Sequence, residues 1–268
     1  MVATSITDEA GRSERAGMSR PLELLIPVAL FSSAAAGWWW SVRMADDMSS
    51  MPAGGSMGDM TSMPAMSMAA FVVGWVAMMA AMMFPAIAPM VRLYARAATR
   101  GSVAPVPFFV AGYLLVWGAI GVPSYGAWRV LADPLAEGAP WVGRLAGTVF
   151  VAAAVYQLTP LKSACLKHCR SPISFFIRHA RTTTHTPWRA VRLGAHHGVF
   201  CLGCCWAIMA ILVALGTMNL AWMAVLALVI FVEKVSPRGE RLAMVAAAGF
   251  AIAGVVLLAA PSSITAIT

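Results

Sequence analysis

The chain has 268 residues, of which 60% are hydrophobic and only 11% charged, with a formal net charge of +8 at pH 7. Soluble domains carry about a quarter charged residues, so this composition excludes a water-soluble globular fold. No basic run alternates with aromatic residues as a base-stacking surface would, and we expect no nucleic-acid partner. The sequence also lacks a phosphate-binding loop, a dinucleotide fingerprint, a zinc-protease helix motif and a nucleophile elbow, so we predict that it is not an enzyme.

The apolar residues form long blocks of about 17–22 residues, which is the length of a helix that crosses a hydrocarbon layer of ~30 Å. Helices satisfy their own backbone hydrogen bonds in lipid. We therefore predict an all-α, polytopic transmembrane helix bundle of about seven spans. The predicted spans are 22–40, 70–91, 106–128, 142–160, 197–215, 220–235 and 242–260.

The basic residues predict the orientation of this bundle. If the N-terminus is cytoplasmic, every Lys and Arg except Arg43, Arg129 and Arg144 falls on the inner side, as the positive-inside rule requires. The chain then divides into a cytoplasmic tail 1–21, a first span 22–40, a Met-rich outer loop 41–69, a six-span membrane domain 70–260 with a basic cytoplasmic loop 161–196, and an outer tail 261–268.

The first span has a second interpretation. Its apolar run and the small residues Ala34-Ala35-Ala36 also fit a secretory signal with a cleavage site. We favour an uncleaved anchor, because the apolar run continues into Trp38, Trp39 and Trp40.

The outer loop is unusually rich in methionine. Thioethers are soft, neutral ligands, so methionines spaced through a Gly, Ser and Pro-rich loop suit Cu(I). The alternative is a low-complexity loop that tolerates methionine. The methionines of segment 44–68 are Met44, Met48, Met51, Met57, Met60, Met63, Met66 and Met68.

The second predicted span continues the methionine pattern. Met78 and Met82, like Met79 and Met83, are four residues apart, which places each pair on one side of a helix. Pro85 follows and is expected to bend the helix. These methionines are either metal ligands or residues that face lipid or fill the packing between helices.

The five cysteines cluster near the inner ends of two predicted spans. All would face the reducing compartment, which favours metal or redox chemistry over structural disulfides. Helical spacing of three and four residues groups their thiols on common faces, where they can form a thiolate or thiolate–imidazole site for Cu(I), with Zn(II) as the alternative at the Cys/His cluster. Packing cysteines are the competing interpretation. The candidate ligands are Cys165, His168 and Cys169 on one side, and His197, Cys201, Cys204, Cys205 and Met209 on the other.

Glu233 lies at the inner end of the sixth predicted span. An acid at this depth is costly, so we expect it to pair with a basic residue or to lie on an ion path. Anchoring at the lipid headgroups is the alternative.

Six segments of the chain together match the pattern of a known family: Met78 to Pro85, Leu161 to Cys165, Cys169 to Pro172, Gly198 to Trp206, Gly216 to Asn219, and Glu233-Lys234. On these segments the chain resembles the bacterial domain-of-unknown-function family 2182 of metal-binding integral membrane proteins. The resemblance covers roughly 70–255 and implies a metal-linked role in the bacterial cytoplasmic (inner) membrane, with copper as the usual metal. It extends to ten candidate positions: Met78, Met79, Met82, Met83, Cys165, Cys169, Cys201, Cys204, Cys205 and Glu233.

We therefore predict a multi-pass membrane protein that transfers or transports Cu(I) from the outer methionines to the inner cysteines. Its expected partners are the lipid bilayer and a copper chaperone or membrane cuproenzyme, and it is expected to be able to form an oligomer. Two other hypotheses stay open: a membrane thiol redox protein, and a non-catalytic assembly subunit of a membrane complex.

Overall fold

The computed structural model describes residues 25–43, 67–99, 105–171, 186–216 and 219–266. These residues form helices and contain no strand, which confirms the all-α class. The helices are α1 (Leu25–Arg43), α2 (Met68–Thr99), α3 (Val106–Ala136), α4 (Pro140–Gln157), α5 (Pro160–Arg170), α6 (Pro187–Ala214), α7 (Leu220–Val235), α8 (Gly239–Ala259) and a final 3-10 helix, Pro261–Ala266.

Five of the described helices are long and apolar enough to cross a membrane, namely α1, α2, α3, α6 and α8. Helices α4 and α5 pass the same test together, although the chain bends by 67° between them. Helix α7 has 16 residues, which is short against the roughly 20 that a span needs. The structure thus has five or six candidate spans, and the count of seven and the cytoplasmic N-terminus stay predictions.

The predicted basic loop 161–196 is largely helical in its described parts. Helix α5 begins at Pro160, where the Thr159 hydroxyl accepts a hydrogen bond from the Lys162 amide at 3.3 Å. Helix α6 begins at Pro187, well before the predicted start at residue 197. Proline at the first turn is a helix-start signal because its missing N–H is not needed there, and it marks both boundaries.

Helices α3 and α6 form the most extensive described helix pair. Their backbones touch at two glycines: a Cβ at Gly112 would overlap the Val191 carbonyl, and a Cβ at Gly194 would overlap the Phe109 carbonyl. Small residues at such contacts allow helices in a membrane to approach closely. Helices α4 and α8 pack in the same way through Gly147 and Gly254.

The interior faces of α2 and α3 complete the core. Trp75 of α2 donates its indole N–H to the Trp117 carbonyl of α3 at 3.0 Å. Helix α2 runs without interruption through Pro85 and Pro89. One face of α2 thus lies inside the bundle from Phe71 to Ala95.

We expect Gly112→Ala to destabilise the protein by about 1–3 kcal/mol, because the added methyl group must push α3 away from α6. Gly126→Ala in the same helix is the matched control, since its Cβ would meet nothing within 4 Å. The control should be neutral or slightly stabilising, by up to about 1 kcal/mol. Thermal unfolding of both variants in detergent measures the difference, and equal melting temperatures would refute the close contact.

Candidate metal site

The sulfur atoms of two helices meet inside the bundle. Cys201, Cys204 and Cys205 of α6 are all buried, and Cys204 Sγ lies 3.9 Å from Cys169 Sγ of α5. The thiols of Cys204 and Cys205 donate to the Cys201 carbonyl at 3.1 and 2.8 Å. The first contact brings together residues that are far apart in the chain, and the other two follow from the helical spacing of α6.

The separation of Cys169 and Cys204 suits a shared metal ion. First-row metals form thiolate bonds of about 2.3 Å, as zinc does, so one ion can contact both sulfurs when they lie 3.9 Å apart. In the described part of the chain, however, no three Cys, His, Asp or Glu side chains are arranged to hold a metal. The four-ligand site that Zn(II) requires is therefore not formed there, and the alternative of Zn(II) at the Cys/His cluster gains no support.

A buried lysine lies among the sulfurs. Lys234 of α7 is only 8% exposed, and its Nζ lies 3.0 Å from Cys201 Sγ and 3.7 Å from Met83 Sδ. The Tyr113 hydroxyl of α3 lies 3.0 Å from the same Cys201 sulfur. Four helices, α2, α3, α6 and α7, therefore contribute to one sulfur and ammonium cluster.

Glu233, which directly precedes Lys234 in the chain, belongs to a second buried ionic group. Glu233 accepts a hydrogen bond from the Lys162 ammonium at 2.6 Å through one carboxylate oxygen, and from the Gln157 amide at 2.9 Å through the other. Lys162 and Glu233 are 2% and 3% exposed. This ion pair joins the end of α7 to α4 and α5, and the structure thus pairs Glu233 with a basic residue.

The end of α5 is held from the other side as well. Arg170 donates to the Ser236 carbonyl in the turn between α7 and α8. Together with the Lys162–Glu233 pair, this contact sets the position from which Cys169 reaches α6.

The remaining predicted ligands are distributed around the cluster. Met78, Met79, Met82 and Met209 are buried, so they do not face lipid, and His197 is buried beside the Phe109 and Tyr113 rings. His168 stacks on Phe200 with ring centroids 3.8 Å apart. The half-buried Cys165 lies against α6 at Gly203. The loop methionines Met44, Met48, Met51, Met57, Met60, Met63 and Met66 lie outside the described residues.

The sequence analysis missed the two buried lysines. Lys162 and Lys234 were counted with the basic residues that flank spans, but both are buried. The signal was their position: Lys234 directly follows an apolar run and the acid Glu233, and Lys162 opens a helix of its own. Tyr113 gave no such signal, because a tyrosine in an apolar span is ordinarily a packing residue.

The described residues form an all-α bundle with five or six candidate membrane spans, in which buried thiols, a thioether and an ammonium lie at one place. Residues 72–257 match a family model, PpoB2, which is described as a copper chaperone. This match covers more than half of the chain, so the chain belongs to the PpoB2 copper chaperone family. The name differs from family 2182, but the copper-related role agrees with the metal-linked role that the resemblance implied. No curated protein and no solved structure matches the chain.

We expect Glu233→Gln to destabilise the protein by about 3–5 kcal/mol, because it leaves the buried Lys162 ammonium without its anion. The double variant Lys162→Met/Glu233→Gln removes both charges and should recover part of that loss. Thermal unfolding in detergent measures both effects.

The exposed pair Lys167–Glu240, at 3.4 Å, provides the control. Glu240→Gln should change stability by only about 0–1 kcal/mol, because exposed ion pairs contribute little. A Glu233→Gln variant as stable as this control would show that the buried pair does not hold α7 in place.

Proposed function

We propose that the protein is a membrane copper chaperone that takes Cu(I) as its cargo, holds it between Cys169 and Cys204, and passes it to a partner. The observation that carries this proposal is the 3.9 Å separation of these two sulfurs on different helices, in a chain whose family is described as a copper chaperone.

The chemistry of the surrounding groups supports Cu(I). Thiolates and thioethers are soft ligands that select this ion. Cys201 and Cys205 add thiols on the helix that carries Cys204, and Met83 adds a thioether that contacts Lys234. A site with only two ligands also suits the transfer of Cu(I) to a partner protein. An incoming thiol of a partner can replace one protein thiolate, so the ion need never be released free.

Helix α2 supplies a path toward this pair. Met79, Met82 and Met83 are almost completely buried along its inner face, and Met83 contacts Lys234 at the cluster. With the N-terminus in the cytoplasm, the outer loop would capture Cu(I) and these methionines would carry it inward. Thiolates bind Cu(I) more tightly than thioethers do, so affinity would rise along the path.

The place of action follows from the same proposal. The protein would work as a multi-pass protein of the bacterial inner membrane, and its partners would be a soluble copper chaperone or a membrane cuproenzyme. The redox alternative draws on the same observation, because two thiols 3.9 Å apart can also be oxidised to a disulfide.

The first test is anaerobic Cu(I) binding to the detergent-purified protein against a competing chelator. We expect Cys169→Ser and Cys204→Ser each to weaken binding by at least ~100-fold, since even outer-shell changes at metal sites cost 10–100-fold. Lys167→Ser in the same helix as Cys169 is the matched control and should bind like the wild type, because the Lys167 side chain is exposed.

Two results would contradict this proposal. Equal, weak binding in the wild type and in both variants would confine copper to the methionines. Reversible cycling between thiol and disulfide in a protein that binds no Cu(I) would favour the redox hypothesis instead.

The outer loop is tested separately. Replacing Met48, Met51, Met57, Met60, Met63 and Met66 by Ser should lower copper accumulation by cells at limiting copper, while Cu(I) affinity at the cysteines stays unchanged. A scrambled loop that keeps all six methionines is the control and should accumulate copper normally, because thioether number and not loop order provides the ligands. Unchanged accumulation in the Ser variant would remove the loop from the mechanism.

A further inference from the structure

Lys234 lies within reach of two of the sulfur atoms at the centre of the bundle, although it is not itself a metal ligand. We infer that Lys234 is a specificity-determining residue, whose buried charge makes the sulfur site select a monovalent soft cation over divalent ones. This inference rests on the proposed function, and it names the charge of the cargo as the property by which the site recognises it.

The charges inside the bundle do not cancel without the sulfurs. Among the described residues, the buried ionic side chains are Lys162, Glu233 and Lys234. Lys162 and Glu233 neutralise each other at 2.6 Å. The hydrogen bonds of Lys234 go to sulfur, at Cys201 and Met83. One positive charge therefore depends on the thiols for its compensation, because an unpaired charge in an apolar interior is very costly.

A monovalent cargo meets this requirement. With Cys201 as a neutral thiol that accepts from Lys234, the thiolates of Cys169 and Cys204 and one Cu(I) carry a net charge of −1, which the single ammonium of Lys234 balances. Two thiolates and one divalent ion carry no net charge, so the ammonium would stay uncompensated and would repel the ion at short range. A third thiolate would restore the balance for a divalent ion. No three suitable side chains converge among the described residues, however.

The position of Lys234 also explains how it can act without binding the metal. Its Nζ lies 3.0 Å from Cys201 Sγ, and Cys201 stands one helical turn before Cys204 on α6. Tyr113 holds the same sulfur from α3. The ammonium is thus held between Met83 of α2 and Cys201 of α6, one helical turn from Cys204, and charges interact strongly over such distances in a low dielectric.

The experiment compares Cu(I) and Zn(II) affinities of the detergent-purified full chain, each against a competing chelator under anaerobic conditions. Lys234→Met keeps the length of the side chain and removes its charge. We expect it to weaken Cu(I) binding and strengthen Zn(II) binding, so that the ratio of the two affinities falls at least ~10-fold. Co(II) added as a spectroscopic probe should show thiolate charge-transfer absorption in Lys234→Met and not in the wild type.

Two further variants complete the design. Lys234→Arg keeps the positive charge and should retain the preference for Cu(I), whereas Lys167→Met removes an exposed lysine of α5 and should bind both ions like the wild type. Lys234→Gln replaces Lys234→Met if the latter does not yield folded protein by thermal unfolding.

The outcomes separate this inference from the proposed function. If the wild type does not bind Cu(I), the proposed function fails and the inference fails with it. If the wild type binds Cu(I) and a folded Lys234→Met or Lys234→Gln variant shows the same ratio of affinities, only the inference is overturned. A fall in the ratio that Lys234→Arg does not share supports it.

Discussion

Burying charge in an apolar bundle is the constraint on which the centre of this protein depends. Lys162 and Lys234 come from different helices, and each must find polar partners away from water. Lys162 pairs with the Glu233 carboxylate, and Lys234 donates to the Cys201 sulfur. These two contacts bind the end of α7 to α5 and α6, so the need for partners of the buried lysines also decides where the cysteines meet.

The same arrangement connects stability with the handling of a soft metal. A thiol is a neutral packing residue in an apolar core, but beside an ammonium its sulfur also accepts a hydrogen bond from the charged group. Cys201 serves in this way, and Cys204, whose sulfur lies 3.9 Å from Cys169 Sγ, follows one turn later on the same helix. Membership of a copper chaperone family agrees with this chemistry. The elements that keep the bundle together thus also surround the proposed cargo.

How much of the fold and of the site the sequence predicts depends on how far apart in the chain the interacting residues lie. The helical class and the cysteine faces follow from local patterns, namely apolar block length and spacing of three and four residues. The meeting of Cys169 with Cys204, and the burial of Lys162 and Lys234, are tertiary facts. A lysine at the end of an apolar run looks the same whether it reaches water or turns inward. The start of α6 has a local signal in Pro187, but the basic residues that follow it are also typical of a cytoplasmic loop.

The glycine contacts between α3 and α6 have a mechanical consequence for the cluster. Where Gly112 and Gly194 let two backbones touch, the helices cannot move closer, and a shift along their axes would drive Cα and carbonyl groups into each other. The parts of α3 and α6 that carry Tyr113 and Cys201 are therefore held rigidly against each other. Cys169 stands instead on an 11-residue helix that follows a 67° bend. Any separation of Cys169 from Cys204 would therefore have to come from α5 and would have to break the contacts of Lys162 and Arg170 near the two ends of that helix.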